Sequence, residues 1–312
     1  MEKSTSQKPK VIAVVGPTAS GKSDLAVEIA RYIKKNRRVL GVSGAEVISA
    51  DSRQVYKYLN LSSGKITKKE MRGIIHHMLD ISSPARTYTV AQYQKRARKI
   101  LNNMAQANKI PIVCGGTGFY VDSLLYETIL PPIKPNQSLR KKLETYSTEK
   151  LFLLLKRLDP KRASEIDAKN RRRLIRALEI IKTTKRPVQP DTKTFPYDVL
   201  WIGIASPKAS LADKIYKRIL SRVRLGMIWE IKSVRARGVS WKRLDELGLE
   251  FRWIGRFLQK KLAKQEMIEG LFGDIKRYAK RQMTWFKKNP SIYWIDSKQK
   301  ALILVKDFLK KN

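Results

Sequence analysis

The chain is 312 residues long, 42% of them hydrophobic, with 66 Lys+Arg against 27 Asp+Glu and a formal net charge of +39. This length allows one large domain or two smaller ones around a sizeable core. A single cysteine, Cys114, excludes an internal disulfide, and the lack of any run of about 18 apolar residues excludes a membrane-spanning helix. A surplus of positive charge this large attracts polyanions, so contact with nucleic acid is expected rather than a merely basic surface. The first residues, MEKSTSQKPK, precede no apolar signal segment, and a cytoplasmic protein without membrane association is expected.

The first predicted element is a buried strand, Val11–Val15, followed by the run GPTASGKS: Gly16, Pro17, Thr18, Ala19, Ser20, Gly21, Lys22 and Ser23. A helix, Gly21–Lys35, continues from it. Glycines at this spacing let backbone N–H groups point into one concavity, and the helix start adds its positive dipole end, so the run is a phosphate cradle. Lys22 is placed to reach a terminal phosphate, and the Ser23 hydroxyl to ligate Mg²⁺. The motif alone leaves an ATPase, a small-molecule kinase and an enzyme expelling diphosphate equally open.

After a loop or extra β-excursion in KKNRRVLGVSGAE, a second strand is predicted at Glu46–Ala50, a helix at Thr89–Gln106 and a third strand at Ile110–Cys114. Strands alternating with helices predict an α/β fold, a P-loop NTPase-like parallel sheet flanked by helices. From about Leu130 the pattern becomes helical (Leu139–Thr145, Glu149–Leu158, Arg162–Ala168, Arg171–Lys182), entered through LPPIKPN and left through RPVQPDTKTFPYD. This predicts an inserted helical subdomain at 129–196 between core segments 1–128 and 197–312. A strand at Val199–Ala205, helices to about Lys288, a last strand at Ser291–Ile295 and a helix at Lys298–Lys310 complete the core.

Asp51 falls at the carboxyl edge of the predicted sheet, where parallel α/β folds bind ligands. There it is a metal-holding acid, a general base or the N-cap of a helix starting at Ser52. Thr117 sits at the same edge among three glycines in GGTGFYVDSLL, which allow close backbone approach to a ligand or simply a tight turn. Two basic helices carry Arg172, Arg173 and Arg176, and Lys280 and Arg281. Interleaved with Tyr278 and Trp285, they suggest phosphate contact and base stacking, against the alternative of a solvated face. His76 and His77 are adjacent and make no metal signature.

GPTASGKS, ISADSRQVY, HHMLDI, GGTGFYVDSLL, RRLIRALEI and YAKRQMTWF together resemble the tRNA dimethylallyltransferases, in the order found there and over about Val11 to Asp296. The resemblance implies transfer of a dimethylallyl group from dimethylallyl diphosphate to N6 of the adenine immediately 3′ of the anticodon, with Mg²⁺, acting on a tRNA anticodon stem-loop; a monomer is expected. It implies Asp51 as general base, Thr117 near the diphosphate and target base, and Arg252 in EFRWIG as a clamp on the leaving group. It further implies tRNA contacts at Asp51, Ser52, Arg53, Gln54, Thr117, Arg140, Arg172, Arg173, Leu174, Ile175, Arg176 and Arg252. The chain departs from the pattern in Arg256, where tyrosine is usual, in the proline linker and in a lengthened NRRVLGVSG connection. A P-loop kinase, an isopentenyltransferase of free adenine nucleotides and a non-enzymatic nucleic-acid-binding module are the competing readings.

Overall fold

The apolar run at Val11–Val15 becomes an interior strand of the sheet because each of its side chains is fully buried, which suits a strand covered by helices on both faces. The computed structural model describes residues 8–126, 131, 133, 135–188, 196–205 and 208–311. By contacts the chain divides into two units, Met1–Leu125 with Phe195–Asn312, and Tyr126–Thr194. The expected entry linker and exit segment fall largely outside the described residues.

The larger unit begins with β1 (Lys10–Val15) and α1 (Lys22–Lys35), whose Leu25, Ile29 and Ile33 repeat at helical spacing on the buried face. Then come β2 (Gly44–Ser49), α2 (Lys68–Met71), β3 (His76–His77), α3 (Val90–Gln106), β4 (Lys109–Gly115) and α4 (Gly118–Leu125). The stretch before β2 is a series of turns rather than an added strand, with Leu40 N–H on the Asn36 carbonyl and Val42 N–H on that of Arg37. β3 is too short for any hydrophobic period to reveal it. Its His77 is held by Glu46, which also takes Lys109 Nζ at 2.6 Å.

The smaller unit holds α5 (Gln137–Glu144), α6 (Thr148–Leu158), α7 (Pro160–Glu165) and α8 (Arg171–Thr184) around Leu143, Leu151, Leu155, Leu174 and Leu178. α7 starts and stops earlier than the expected Arg162–Ala168, because Asp159 caps it through the Arg162 N–H and Pro160 takes the first helical position. Leu174 and Ile175, expected to touch tRNA, are core side chains here, buried by the apolar stripe of α8.

The larger unit resumes with β5 (Asp198–Ile204), α9 (Lys208–Arg224), α10 (Met227–Ala236), α11 (Trp241–Leu247), α12 (Leu249–Leu258), α13 (Lys264–Phe286), β6 (Ile292–Ile295) and α14 (Lys298–Lys310). The strand order is β3-β2-β4-β1-β5-β6 and every pairing is parallel. β1 therefore lies between β4 and β5, and the turns leaving β1, β2 and β4 open onto one carboxyl edge, the ligand side of such a sheet.

Arg140 and Arg176, expected on tRNA, have a different task in the smaller unit. Glu179 is fully buried there and accepts from Arg140 Nε at 2.9 Å, from Arg140 Nη2 at 2.8 Å, from Arg176 Nη1 at 2.5 Å and from the Asn136 N–H at 2.7 Å. Burial on its own raises this carboxyl, but the two arginines and the amide outweigh it and hold it below its ordinary value. Its stabilising contribution is present above the unfolded carboxylate value and is lost as pH falls through the lower folded one. Glu179→Gln is expected to cost about 3 kcal/mol, the lower end for breaking a buried pair, since both arginines keep some solvent. Urea unfolding followed by helix circular dichroism reads that loss.

Candidate active site

The P-loop leaves β1 through Gly16, at φ 144°, where any side chain would meet the Ile204 carbonyl at 3.2 Å. Gly21, at φ 87°, opens α1. Ala19 between them takes φ 62°, a left-handed conformation that costs a non-glycine residue about 1–3 kcal/mol and clusters at ligand-holding turns. Among the described residues, the Ser20 hydroxyl is buried with no hydrogen-bond partner. A strained turn holding an orphaned buried hydroxyl is built for an acceptor-rich ligand.

Lys22, expected to reach a terminal phosphate, is folded back on its own loop. Its Nζ is turned in on the Pro17 carbonyl. Burial brings its pKa down to about 8, Arg218 pushing the same way and Asp51 opposing. Arg218, on α9, donates from Nη2 to Thr18 Oγ1 at 2.6 Å, so a second cation reaches the loop. Burial and the neighbouring Arg222 lower the Arg218 guanidinium to about 10. Burial pushes the Cys114 thiol up to about 11, with Lys22 and Ser23 opposing.

Asp51 follows β2 in a run of turns, with no helix behind it. It accepts from the Arg53 N–H at 2.8 Å and the Gln54 N–H at 3.3 Å. The cap reading therefore survives in a smaller form, a capped turn, and both bonds land on Oδ1. Thr117 sits opposite, accepting from the Ser52 N–H at 3.1 Å and anchored by its own N–H on the Ala50 carbonyl at 3.2 Å. Asp51 acts on both Lys22 and Arg218, and Gln282 bonds both the Thr18 N–H and the Gly116 carbonyl, so cradle and carboxylate stand at one edge.

The glycines around Thr117 make room for the protein itself. A side chain at Gly115 would strike the Ala50 carbonyl, one at Gly116 the Gln282 amide, and one at Gly118 the Trp285 ring. Trp285 is thus a packing residue that donates to Asp122 at 2.9 Å. Burial and Asp51 push the Tyr278 hydroxyl up to about 12, with Thr117 opposing. Neither aromatic forms the exposed stacking platform expected of them.

Several expected contacts run inward. Arg53 Nε donates to the Leu247 carbonyl at 2.9 Å, and Gln54 Nε2 to that of Gly64 at 3.2 Å, so Ser52, Arg53 and Gln54 brace the turn that carries Asp51. Arg252 lies 3.2 Å from the Asp245 carboxylate and donates to the Asp245 carbonyl at 3.1 Å. Arg256 shares that carboxylate at 3.2 Å. Arg218 thus bonds a P-loop side chain, while Arg252, the expected clamp on the leaving group, bonds Asp245. Arg172, Arg173, Lys280 and Arg281 are exposed.

Arg218 and Gln282 were missed in the sequence. The helical stripe Ile275, Ala279, Gln282, Phe286, with a glutamine among buried positions, is the one signal that marks Gln282.

A phosphate cradle and a carboxylate at the carboxyl edge of a parallel sheet define a P-loop α/β enzyme. The family model described as IPP transferase matches residues 54–289. A tRNA dimethylallyltransferase of Acetivibrio thermocellus is 36% identical over 313 residues, covering 96% of this chain and 97% of that protein. The solved tRNA isopentenylpyrophosphate transferase from Bacillus halodurans is 31% identical, with TM-score 0.71 and 97% of each chain covered. A eukaryotic dimethylallyltransferase acting on tRNA shares the fold at TM-score 0.81 and 24% identity, over 96% of this chain and 79% of that one. The chain belongs to the IPP transferase family.

Proposed function

We propose that the protein transfers a dimethylallyl group from dimethylallyl diphosphate to N6 of the adenine immediately 3′ of the anticodon of a tRNA, releasing diphosphate. The observation that carries this reading is the union, at one sheet edge, of an oxyanion cradle holding two cations with a carboxylate across from it. Relatives named for the same reaction support it. The C–O bond of the donor breaks as the N6–C bond forms, and negative charge grows on the departing diphosphate. Lys22, Arg218 and the P-loop amides stabilise that charge. Asp51 accepts the proton that leaves N6. The adenine must first leave the loop stack, at a cost of a few kcal/mol.

The donor set fits Mg²⁺ held mainly by diphosphate oxygens and water. Ser23 would supply one hydroxyl, and no group of three or more His, Cys, Asp or Glu that could hold a metal ion occurs among the described residues. When bound, the ion would neutralise part of the leaving-group charge. No helix among the described residues is long and apolar enough to cross a membrane.

Incubation with dimethylallyl diphosphate and purified tRNA, followed by nucleoside mass spectrometry, is expected to show one adenine gaining a five-carbon unit. Equal transfer to free adenine nucleotides, or phosphoryl transfer from ATP without prenyl transfer, would replace this reading.

Two further outcomes test its parts. The free-enzyme Lys22 must be protonated to hold the donor, so affinity for dimethylallyl diphosphate without tRNA should fall by about tenfold per pH unit above its value of about 8. Calorimetry from pH 6.5 to 9.5 checks this, and a flat profile would put the ammonium outside the anion's reach. Lys280 and Arg281, both exposed on α13, are the proposed contacts to the tRNA backbone. Neutralising both should weaken all tRNAs alike and lower the slope of log affinity against log salt by about 0.7–0.9 per lost contact. An unchanged slope would return this helix face to solvent.

A further inference from the structure

Gln282 lies on α13, inside the larger unit and nearly closed to solvent at 5% exposure. Its side chain spans two turns that are far apart in the chain. Oε1 accepts from the Thr18 N–H in the P-loop at 2.8 Å, and Nε2 donates to the Gly116 carbonyl at 2.8 Å. The amide has only one workable orientation, because the Thr18 N–H can only donate and the Gly116 carbonyl can only accept. Gly116 is the residue before Thr117, whose hydroxyl holds the Ser52 N–H next to Asp51.

We infer that Gln282 is a positioning residue that fixes the distance between the diphosphate cradle and the carboxylate side of the active site. The inference rests on the proposed prenyl transfer and adds a part to it. In this chemistry the donor's reacting carbon is held from one side by the diphosphate, and the adenine amine from the other by Asp51. The two sides belong to different strand–helix turns, after β1 on one hand and after β2 and β4 on the other. One neutral side chain with a donor and an acceptor ties them without bringing a charge beside the leaving group.

The tie also shapes the cradle. Pro17 has no N–H and that of Thr18 is taken by Gln282, so neither residue offers a backbone donor to an oxyanion. Gly116 is required at its place by the same contact, since a Cβ there would lie 2.1 Å from Gln282 Nε2.

The test compares Gln282→Met, Gln282→Glu and Gly116→Ala with the unaltered enzyme. Met keeps the length and loses both hydrogen bonds. Glu keeps the acceptor for Thr18 but sets an anionic oxygen against the Gly116 carbonyl. A misplacement of about 1 Å costs about 10²-fold in rate, so each variant is expected to lose that much in single-turnover prenyl transfer. Affinity for inorganic diphosphate with Mg²⁺ should weaken, and tRNA affinity should stay within about twofold. Gly116→Ala presses on the same amide from the other side, so the double variant Gly116→Ala/Gln282→Met should be no slower than the worse single one. If Gln282→Met does not fold, the kinetic signature of Gly116→Ala decides alone. A folded variant with unaltered single-turnover rate and diphosphate affinity, or a change confined to melting temperature, overturns the inference. Absence of prenyl transfer by the unaltered enzyme would instead overturn the proposed function.

Discussion

Asp51→Asn is expected to lower the single-turnover rate of prenyl transfer by about 10²-fold or more while leaving fold and tRNA affinity intact. The structure sharpens why this substitution isolates the chemistry. The two amides that Asp51 satisfies, those of Arg53 and Gln54, both fall on Oδ1. Asn offers an equivalent acceptor and caps turns and helices as well as Asp does, so the turn should hold. What Asn cannot do is accept the N6 proton. Single-turnover conditions keep slow product release from hiding the defect. An Asn variant that melts early yet reacts normally when folded would make Asp51 a cap only, and the base would lie elsewhere.

What could be read in the sequence follows the range of the interactions involved. The P-loop was legible because its chemistry demands a strand, a glycine turn and a helix in immediate succession, all within Lys10–Lys35. Asp51 and Thr117 were legible because a strand's end in an alternating pattern already names the ligand edge. Arg218 and Gln282 were not, since each meets Thr18 from 200 and 264 residues away, and on their own helices they read as one more charge and one polar residue. Arg140 and Arg176 read as RNA contacts for the opposite reason. In a chain of charge +39 an arginine suggests RNA, and only burial of Glu179 shows that these two neutralise an internal acid. The glycines around Thr117 signal close approach to a ligand or a tight turn, and the atoms that approach them belong to Ala50, Gln282 and Trp285.

Lys22→Ala is expected to abolish prenyl transfer in practice, with a loss of about 10³-fold, while tRNA affinity changes little. The magnitude is that of removing one preorganised donor from a developing anion in a site that excludes water. Arg218 remains at the loop and sets a floor under the residual rate. The same variant separates catalysis from folding by sign. Burial holds Lys22 at about 8, below its ordinary 10.5, so below pH 8 the folded protein carries a desolvated charge that the unfolded chain keeps in water. That term disfavours folding at neutral pH, and it is relieved only as pH rises from the folded value toward the unfolded one. Removing the ammonium should leave the melting temperature at pH 7 unchanged or raise it. An inactive variant at least as stable as the parent would mark Lys22 as a residue kept for diphosphate at a cost to stability. An inactive variant that melts much lower would instead make the Nζ contact with the Pro17 carbonyl a brace of the P-loop, and the loss of activity would no longer speak for charge stabilisation.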